Sequence, residues 1–277
     1  MSDVLGYRGK RVIVTGCFSG MGEATARMLL DLGAEVHGFD YKPCTLPLAS
    51  FTTLDLRDPA SIEAGVAAVG GKIDSLFNCA GLPGGGAFNP IDTMKVNFIG
   101  TRHLTEQVLK HMSAGSAIVS IASTGGLGWS RRIPVHMELL QAQGFQGALD
   151  WCAGHMDQVA EGYGFSKEAV IVWTQFQGAH LIKQGIRINC SLPSPTQTPM
   201  MASFHAHSGK DIVDAAAEPL GRYTTPEEQA GGIVLLNSAL AGVINGVVLP
   251  VDGGFMGGVA TGQVDLSLMM RGAPAQA

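Results

Sequence analysis

The chain has 277 residues, 46% of them hydrophobic, a length that admits one α/β domain or two small ones and an apolar content that suits a sheet buried on both faces. Eighteen basic against 23 acidic side chains leave a net charge of −5 with no long basic run, which argues against nucleic acid or an anionic membrane as partner. Five scattered cysteines (Cys17, Cys44, Cys79, Cys152, Cys190) lack CxxC or metal-ligand spacing, and no basic stretch precedes an apolar core at the start; the expectation is a cytoplasmic protein with reduced thiols and no metal.

The apolar, β-branched run Val12-Ile13-Val14 reads as a buried strand, broken by Thr15-Gly16. Gly16, Ser19, Gly20, Met21 and Gly22 then lead into a helix with Ala24, Met28 and Leu32 on its inward face, closed by Gly33. The first amides of a helix have no internal partner and carry partial positive charge, so a pyrophosphate can sit on them where no side chain blocks its approach. A second strand, Glu35 to Phe39, ends at Asp40, where an acid can accept hydrogen bonds from an adenosine ribose and repel a 2′-phosphate. The cofactor expected is NAD rather than NADP.

Phe51 to Leu56 reads as a third strand carrying Asp55 and Leu56 at its end, Ser61 to Val69 as a helix, and Ile73 to Phe77 as a fourth strand delivering Asn78-Cys79-Ala80-Gly81. After a glycine-rich loop, Leu82 to Asn89, a long helical pattern runs from about Pro90 to Met112. Asn97 lies inside it, and an amide in an apolar helix interior is costly unless it is used. Ala117 to Ser123 is a fifth strand with Ser123 at its carboxyl end, the edge where open parallel sheets bind ligands. Tyr163-Gly-Phe-Ser-Lys167 opens a helix reaching Gln184, and a spacing of four puts both side chains on one face. A phenol holds its proton to about pH 10, so as a base near neutrality it needs nearby positive charge, which Lys167 supplies. The sixth strand, Gly185 to Ser191, leads to Pro193, Ser194, Thr196 and Thr198. The uncharged stretch Ala230 to Val251 contains Asn237, Asn245 and Pro250, so it reads as a helix and a strand rather than a membrane span.

Thr15-Gly16-x-x-x-Gly20-x-Gly22, Asn78-Cys79-Ala80-Gly81, Asn97, Ser123, Tyr163-x-x-x-Lys167 and Val251-Asp252-Gly253-Gly254 come in the order found in the short-chain dehydrogenase/reductase family, which the chain resembles from Lys10 to about Phe255. The resemblance implies a single-domain, doubly wound parallel sheet of Rossmann type with helices on both faces over residues 1–277. It implies that Ser123 orients the substrate oxygen, Tyr163 is the base, Lys167 lowers its pKa and holds the nicotinamide ribose, and Asn97 bends its helix and anchors a relay water. It places Gly16, Ser19, Gly20, Met21, Gly22, Asp40, Asp55, Leu56, Asn78, Ala80, Gly81, Pro193, Thr196 and Thr198 with Tyr163 and Lys167 in the cofactor-binding set, Asp55 beside the adenine and Thr198 at the carboxamide. Asn78 serves there chiefly to tie neighbouring strands. Cys79 and Ser194 depart from the family's usual Asn and Gly.

Forty positions separate Ser123 from Tyr163, more than the family usually has, which marks an insertion at about 130–158. Its core, Pro134 to Gln158, reads as two short helices broken at Gly144 and Gly154, able to roof a pocket or to form a subunit contact. Such an insertion resembles a subgroup containing 3α-hydroxysteroid dehydrogenase/carbonyl reductase and coniferyl-alcohol dehydrogenase. The expected assembly is a homo-oligomer, a dimer ahead of a tetramer. Met200 to His207 falls at the substrate lid, with Met200, Met201 and Phe204 as an adaptable apolar wall and His205 and His207 facing solvent; Arg131 and Arg132 read as solvated surface. The function expected is NAD-dependent interconversion of a bulky hydrophobic secondary alcohol and its ketone, first a hydroxysteroid and second an aryl allylic alcohol. A protein that only sensed NAD would need neither Tyr163 nor Lys167.

Overall fold

Seven short apolar runs form parallel strands in a computed structural model that describes residues 3–86 and 88–265. They are β1 (Arg11–Thr15), β2 (Glu35–Asp40), β3 (Ser50–Thr53), β4 (Ser75–Asn78), β5 (Ala117–Ile121), β6 (Arg187–Pro193) and β7 (Val248–Val251), in the spatial order β3-β2-β1-β4-β5-β6-β7. The order reverses between β1 and β4, and a crevice opens at such a reversal beyond the carboxyl ends of the strands. Register brings those ends level: Thr15 pairs with Asn78, Asn78 with Ser120, and Pro193 with Val251.

Helices α1 (Gly20–Asp31) and α2 (Pro59–Val69) follow β1 and β3, and the helical stretch after β4 divides into α3 (Pro90–Met94), a π-helical turn (Lys95–Gly100) and α4 (Thr101–Leu109). The long helix expected there is thus widened by one residue per turn around Asn97, the usual signature of a backbone adapted to a site. β3 stops short of the expected Leu56, leaving Asp55 and Leu56 in the loop to α2. β5 ends two residues before Ser123, which instead caps a 3-10 turn, Thr124–Arg131.

The insertion folds as α5 (Ile133–Gln141), α6 (Gly144–Gly154) and the single turn α7 (Met156–Val159), so the breaks fall where the glycines placed them. Its apolar stripe is packing: Leu139, Leu140, Phe145, Ala148 and Cys152 are buried in the same core as Phe165, Ile171 and Trp173. Those last three belong to α8 (Tyr163–Leu181), and the chain ends its described part with α9 (Met201–Ser208), α10 (Lys210–Ala215), α11 (Pro226–Asn237) and α12 (Phe255–Ala260). α1 and α11 pack together over one face of the sheet, while α2, α4, α8 and the insertion cover the other. Ala230 to Val251 is helix and strand as expected, and no described helix is long and apolar enough to cross a membrane. Beyond the family-like part, the sequence reads as a C-terminal tail at about 257–277, of which residues 266–277 lie outside the described residues.

Candidate active site

One cleft of about 1560 Å³ runs along the carboxyl edge of β1, β4, β5 and β6. That exceeds the few hundred to roughly 1,000 Å³ usual for one small molecule, so it has room for a dinucleotide and a substrate together. Its floor at β1 is a glycine cradle. Gly16 takes φ +71°, and a Cβ on it would stand 2.8 Å from the Ala80 amide nitrogen; a Cβ on Gly22 would stand 2.1 Å from the Gly16 carbonyl oxygen. Backbone fills the space that side chains would need, which leaves the first amides of α1 open to an anion. Thr15 holds the neighbouring loop in place, its hydroxyl accepting the amides of Cys79 and Ala80, each at 3.0 Å.

Asp40 ends β2 at the rim. Its two oxygens accept the amides of Phe18 at 3.0 Å and Lys42 at 2.9 Å, which fixes the carboxylate and leaves lone pairs for ribose hydroxyls. The nearby cation, Lys42, lies over the faces of Phe18 and Tyr41, 5.2 and 5.8 Å from their centroids. Ser19, Gly20, Met21, Asp55, Leu56, Ala80, Gly81, Pro193, Thr196 and Thr198 line the cleft with them. This donor set and the cradle fit a dinucleotide.

The chemical end is built by β5 and α8. Ser123 caps the turn after β5, its Oγ accepting the Gly125 amide at 3.0 Å. A Cβ on Gly125 would lie 3.3 Å from both that oxygen and Tyr163 Cε1, so the serine and tyrosine stand side by side. Lys167, one turn along α8, is buried and donates from Nζ to the Ile121 carbonyl at 2.8 Å, with its nitrogen 5.7 Å from the Tyr163 ring centre. Phe204 of α9 closes on the other side of Tyr163, ring against ring at 5.0 Å and 72°.

The family pattern described as short chain dehydrogenase matches residues 10–135, and that described as enoyl-(acyl carrier protein) reductase matches residues 152–256. Coniferyl-alcohol dehydrogenase of Pseudomonas sp. strain HR199 is 35% identical over 246 residues, covering 88% of this chain and 96% of that protein. Cyclohexanol dehydrogenase of Rhodococcus sp. strain TK6 is 31% identical, covering 92% and 98%. The chain belongs to the short-chain dehydrogenases. Among solved structures, the 3-alpha-hydroxysteroid dehydrogenase from Pseudomonas sp. B-0831, complexed with NADH, superposes on this short-chain dehydrogenase with a TM-score of 0.76 at 28% identity, over 92% of this chain and 100% of that one.

Several residues of this dehydrogenase sit otherwise than expected. Asn78 is buried away from the cleft and donates to Thr105 and Ser120 at 3.0 and 3.2 Å; it braces β4 and β5 and does not line the cofactor groove. The Asn97 side chain is likewise off the cleft, and it is hydrogen-bonded through both its oxygen and its nitrogen. Its Oδ1 accepts the Leu82 amide at 2.7 Å, and its Nδ2 donates to the Leu82 carbonyl and to Ser166 Oγ, both at 3.0 Å. It pins the loop after β4 to the catalytic helix with both amide hydrogens spent, so only Oδ1 or the backbone carbonyl could still meet a water. Thr196 spends its hydroxyl on Ser194 and Thr224. Ser194 needs no glycine geometry, since no described non-glycine residue has positive φ. Asp55 forks onto Arg57, which holds its carboxyl below the usual range. His205 is half-buried against Tyr223 at 2.9 Å, and His207, though exposed, lines the cleft beside Gly85.

Arg132 is not solvated surface either. It lines the cleft and pairs with Glu168 at 2.7 Å and Glu161 at 3.4 Å. Asp157, Gln158 and Glu161 line it too, beside apolar Leu127, Phe204, Ile212, Val213 and Phe255. Nothing in the periodicity marked these polar residues; their closeness to Tyr163 along the chain was the available signal.

Burial also changes the expected electrostatics. It pushes the Tyr163 phenol up to about 12, with the Ser123 hydroxyl drawing it back in part, and brings the Lys167 ammonium down to about 8. Lys167 therefore does not by itself make the phenol acidic in the free protein. Burial disfavours charge on both groups, so the phenol stays protonated as pH rises through 10, while the lysine sheds its proton above about pH 8. Subtracting an alkaline tyrosinate titration of Tyr163→Phe from that of the native protein should show a phenol ionising well above 10 in the free protein and lower once the positively charged oxidised nicotinamide is bound; a phenol titrating below 10 without NAD would contradict this.

Proposed function

We propose that this short-chain dehydrogenase oxidises a bulky, mainly apolar alcohol and reduces the matching carbonyl compound, with NAD as its cofactor. The observation that carries the reading is the meeting of Ser123, Tyr163 and Lys167 at one end of a cleft whose other end is a glycine cradle rimmed by Asp40. Gly16, Gly20 and Gly22 would hold the pyrophosphate on open amides, Asp40 the adenosine ribose, and Thr198 the carboxamide. Bound NAD supplies the hydride acceptor or donor. Ser123 holds the substrate oxygen, Tyr163 takes the hydroxyl proton in the oxidising direction, and Lys167 supplies positive charge behind both.

The cleft lining favours the aryl allylic alcohol over the hydroxysteroid. An all-apolar roof would suit a steroid's rings, but the insertion brings Arg131, Arg132, Asp157 and Gln158 to the wall, and Glu161 just after it joins them. With Glu168 behind them, two positive and three negative charges leave this wall at about −1, which suits a neutral polar ring substituent such as a phenol and disfavours a carboxylate. The coniferyl-alcohol dehydrogenase likeness at 35% supports the same choice. A homodimer is the assembly we propose, to be measured by light scattering.

The test is an NAD reduction assay against coniferyl alcohol, cyclohexanol and hydroxysteroids, repeated with NADP. The expected result is the highest kcat/KM with an aryl allylic alcohol and a preference for NAD. Turnover confined to steroids would reverse the substrate choice, and binding of NADH with no turnover of any alcohol would leave the NAD-sensing alternative.

A further inference from the structure

Immediately after Lys167 comes a carboxylate that the chemistry above does not use. Glu168 is 2% exposed, and its neighbours come from three segments. Oε1 accepts Arg132 Nη2 at 2.7 Å, and Oε2 accepts His136 Nε2 at 2.8 Å from α5, where His136 is fully buried. The third neighbour is the turn that begins at Ser123: a Cβ on Gly128 would stand 2.4 Å from Glu168 Oε1, and one on Gly126 would stand 3.2 Å from the Glu168 amide nitrogen. Phe165 seals the group, with the His136 ring 4.5 Å from its centre and the Arg132 guanidinium 5.4 Å away.

Adjacent residues on a helix point about 100° apart. Lys167 reaches the end of β5, while Glu168 turns to the insertion. A carboxylate only accepts, so both contacts require a donor, and His136 must present its Nε2–H to it. Its Nδ1 has no partner among the described residues, and no other described group supplies Oε2 with a side-chain donor. Removing the charge, with one carboxylate oxygen replaced by an NH2 group, would leave only one of Arg132 and His136 with an acceptor here and weaken that bond, a change that costs more than the loss of a surface pair.

We propose that Glu168 is a positioning residue that locks the insertion to the catalytic helix and sets Arg132 in the cleft wall, so that it governs the fit of substrates large enough to reach that wall. The proposal rests on the dehydrogenase reading only for its substrate arm. Arg132 carries the effect into the cleft; Ser123, Tyr163 and Lys167 keep their places through β5 and α8.

Glu168→Gln keeps the shape and removes the charge. In the full chain, its KM for coniferyl alcohol should rise about tenfold with kcat changed less than about threefold, and the rise should exceed that for cyclohexanol several-fold. Amide hydrogen exchange, followed with NADH bound, should quicken by about tenfold in α5 and stay level in α1, across the sheet. Equal losses on both alcohols, or unchanged exchange in α5, would overturn the proposal. His136→Gln, which keeps a donor at shorter reach, should move the same measurements in the same direction, and it decides the matter if Glu168→Gln does not fold. If the native protein oxidises neither alcohol, the proposed substrate class fails while the exchange measurement still decides for or against the lock.

Discussion

Tyr163→Phe should lower kcat by about 10²–10⁴-fold while leaving NADH affinity within a few-fold of the native value. The ring itself is kept, so its contact with Phe204 and its place at the start of α8 survive, and only the hydroxyl is lost. That oxygen stands beside Ser123 and in the field of a lysine whose Nζ is 5.7 Å from the ring centre. No described histidine or carboxylate is hydrogen-bonded to the Ser123 or Tyr163 hydroxyl, so no side chain stands ready to replace the phenol as proton acceptor. A proton must still leave the alcohol, and water would have to take it. The measurement is steady-state NAD reduction alongside NADH fluorescence titration; turnover near the native level would remove Tyr163 from the reaction, and a parallel loss of NADH binding would make its role structural.

How far the sequence could be read depended on whether a residue's meaning was local. Val12 to Gly22, Asp40 and Tyr163-x-x-x-Lys167 each declare themselves within a few residues, because strand period, helix spacing and the need for bare backbone are short-range facts, and Gly16, Gly20, Gly22, Asp40, Tyr163 and Lys167 all line the cleft. The insertion's helices were legible from their glycines for the same reason. Asn97 was visible as an anomaly, but its three hydrogen bonds go to Leu82 and Ser166, partners 15 and 69 residues away that no spacing reveals. Arg132 looked like surface because its acceptor, Glu168, lies 36 residues on, and Glu168 looked like an ordinary charged helix residue because His136 is 32 residues back. The protonation of Tyr163 in the free protein was illegible for a different reason. Spacing gives the distance to Lys167 but not the desolvation both groups suffer, and here desolvation is the larger effect.

Gly22→Ala should be among the most damaging single methyl additions in the described chain. The new Cβ would stand 2.1 Å from the Gly16 carbonyl oxygen and 2.6 Å from its carbon, and both are backbone atoms that cannot rotate away. Either α1 moves off β1 or Gly16 leaves its positive φ, and each displaces the amides that the pyrophosphate needs. Overpacking of this kind costs about 1–3 kcal/mol or more, and every 1.4 kcal/mol expressed at the cradle is a tenfold loss of affinity. The expected outcome is a lowered Tm together with NADH binding weakened by about tenfold or more. Gly231→Ala provides the contrast: it lies inside α11, where nothing stands within 4 Å of the added carbon, so alanine should leave NADH binding alone and raise stability by about 0.4–1 kcal/mol through the unfolded chain. Calorimetry and NADH titration of the two variants together separate a cradle that must be bare from a general intolerance of methyl groups, and equal behaviour of the two would refute the cradle.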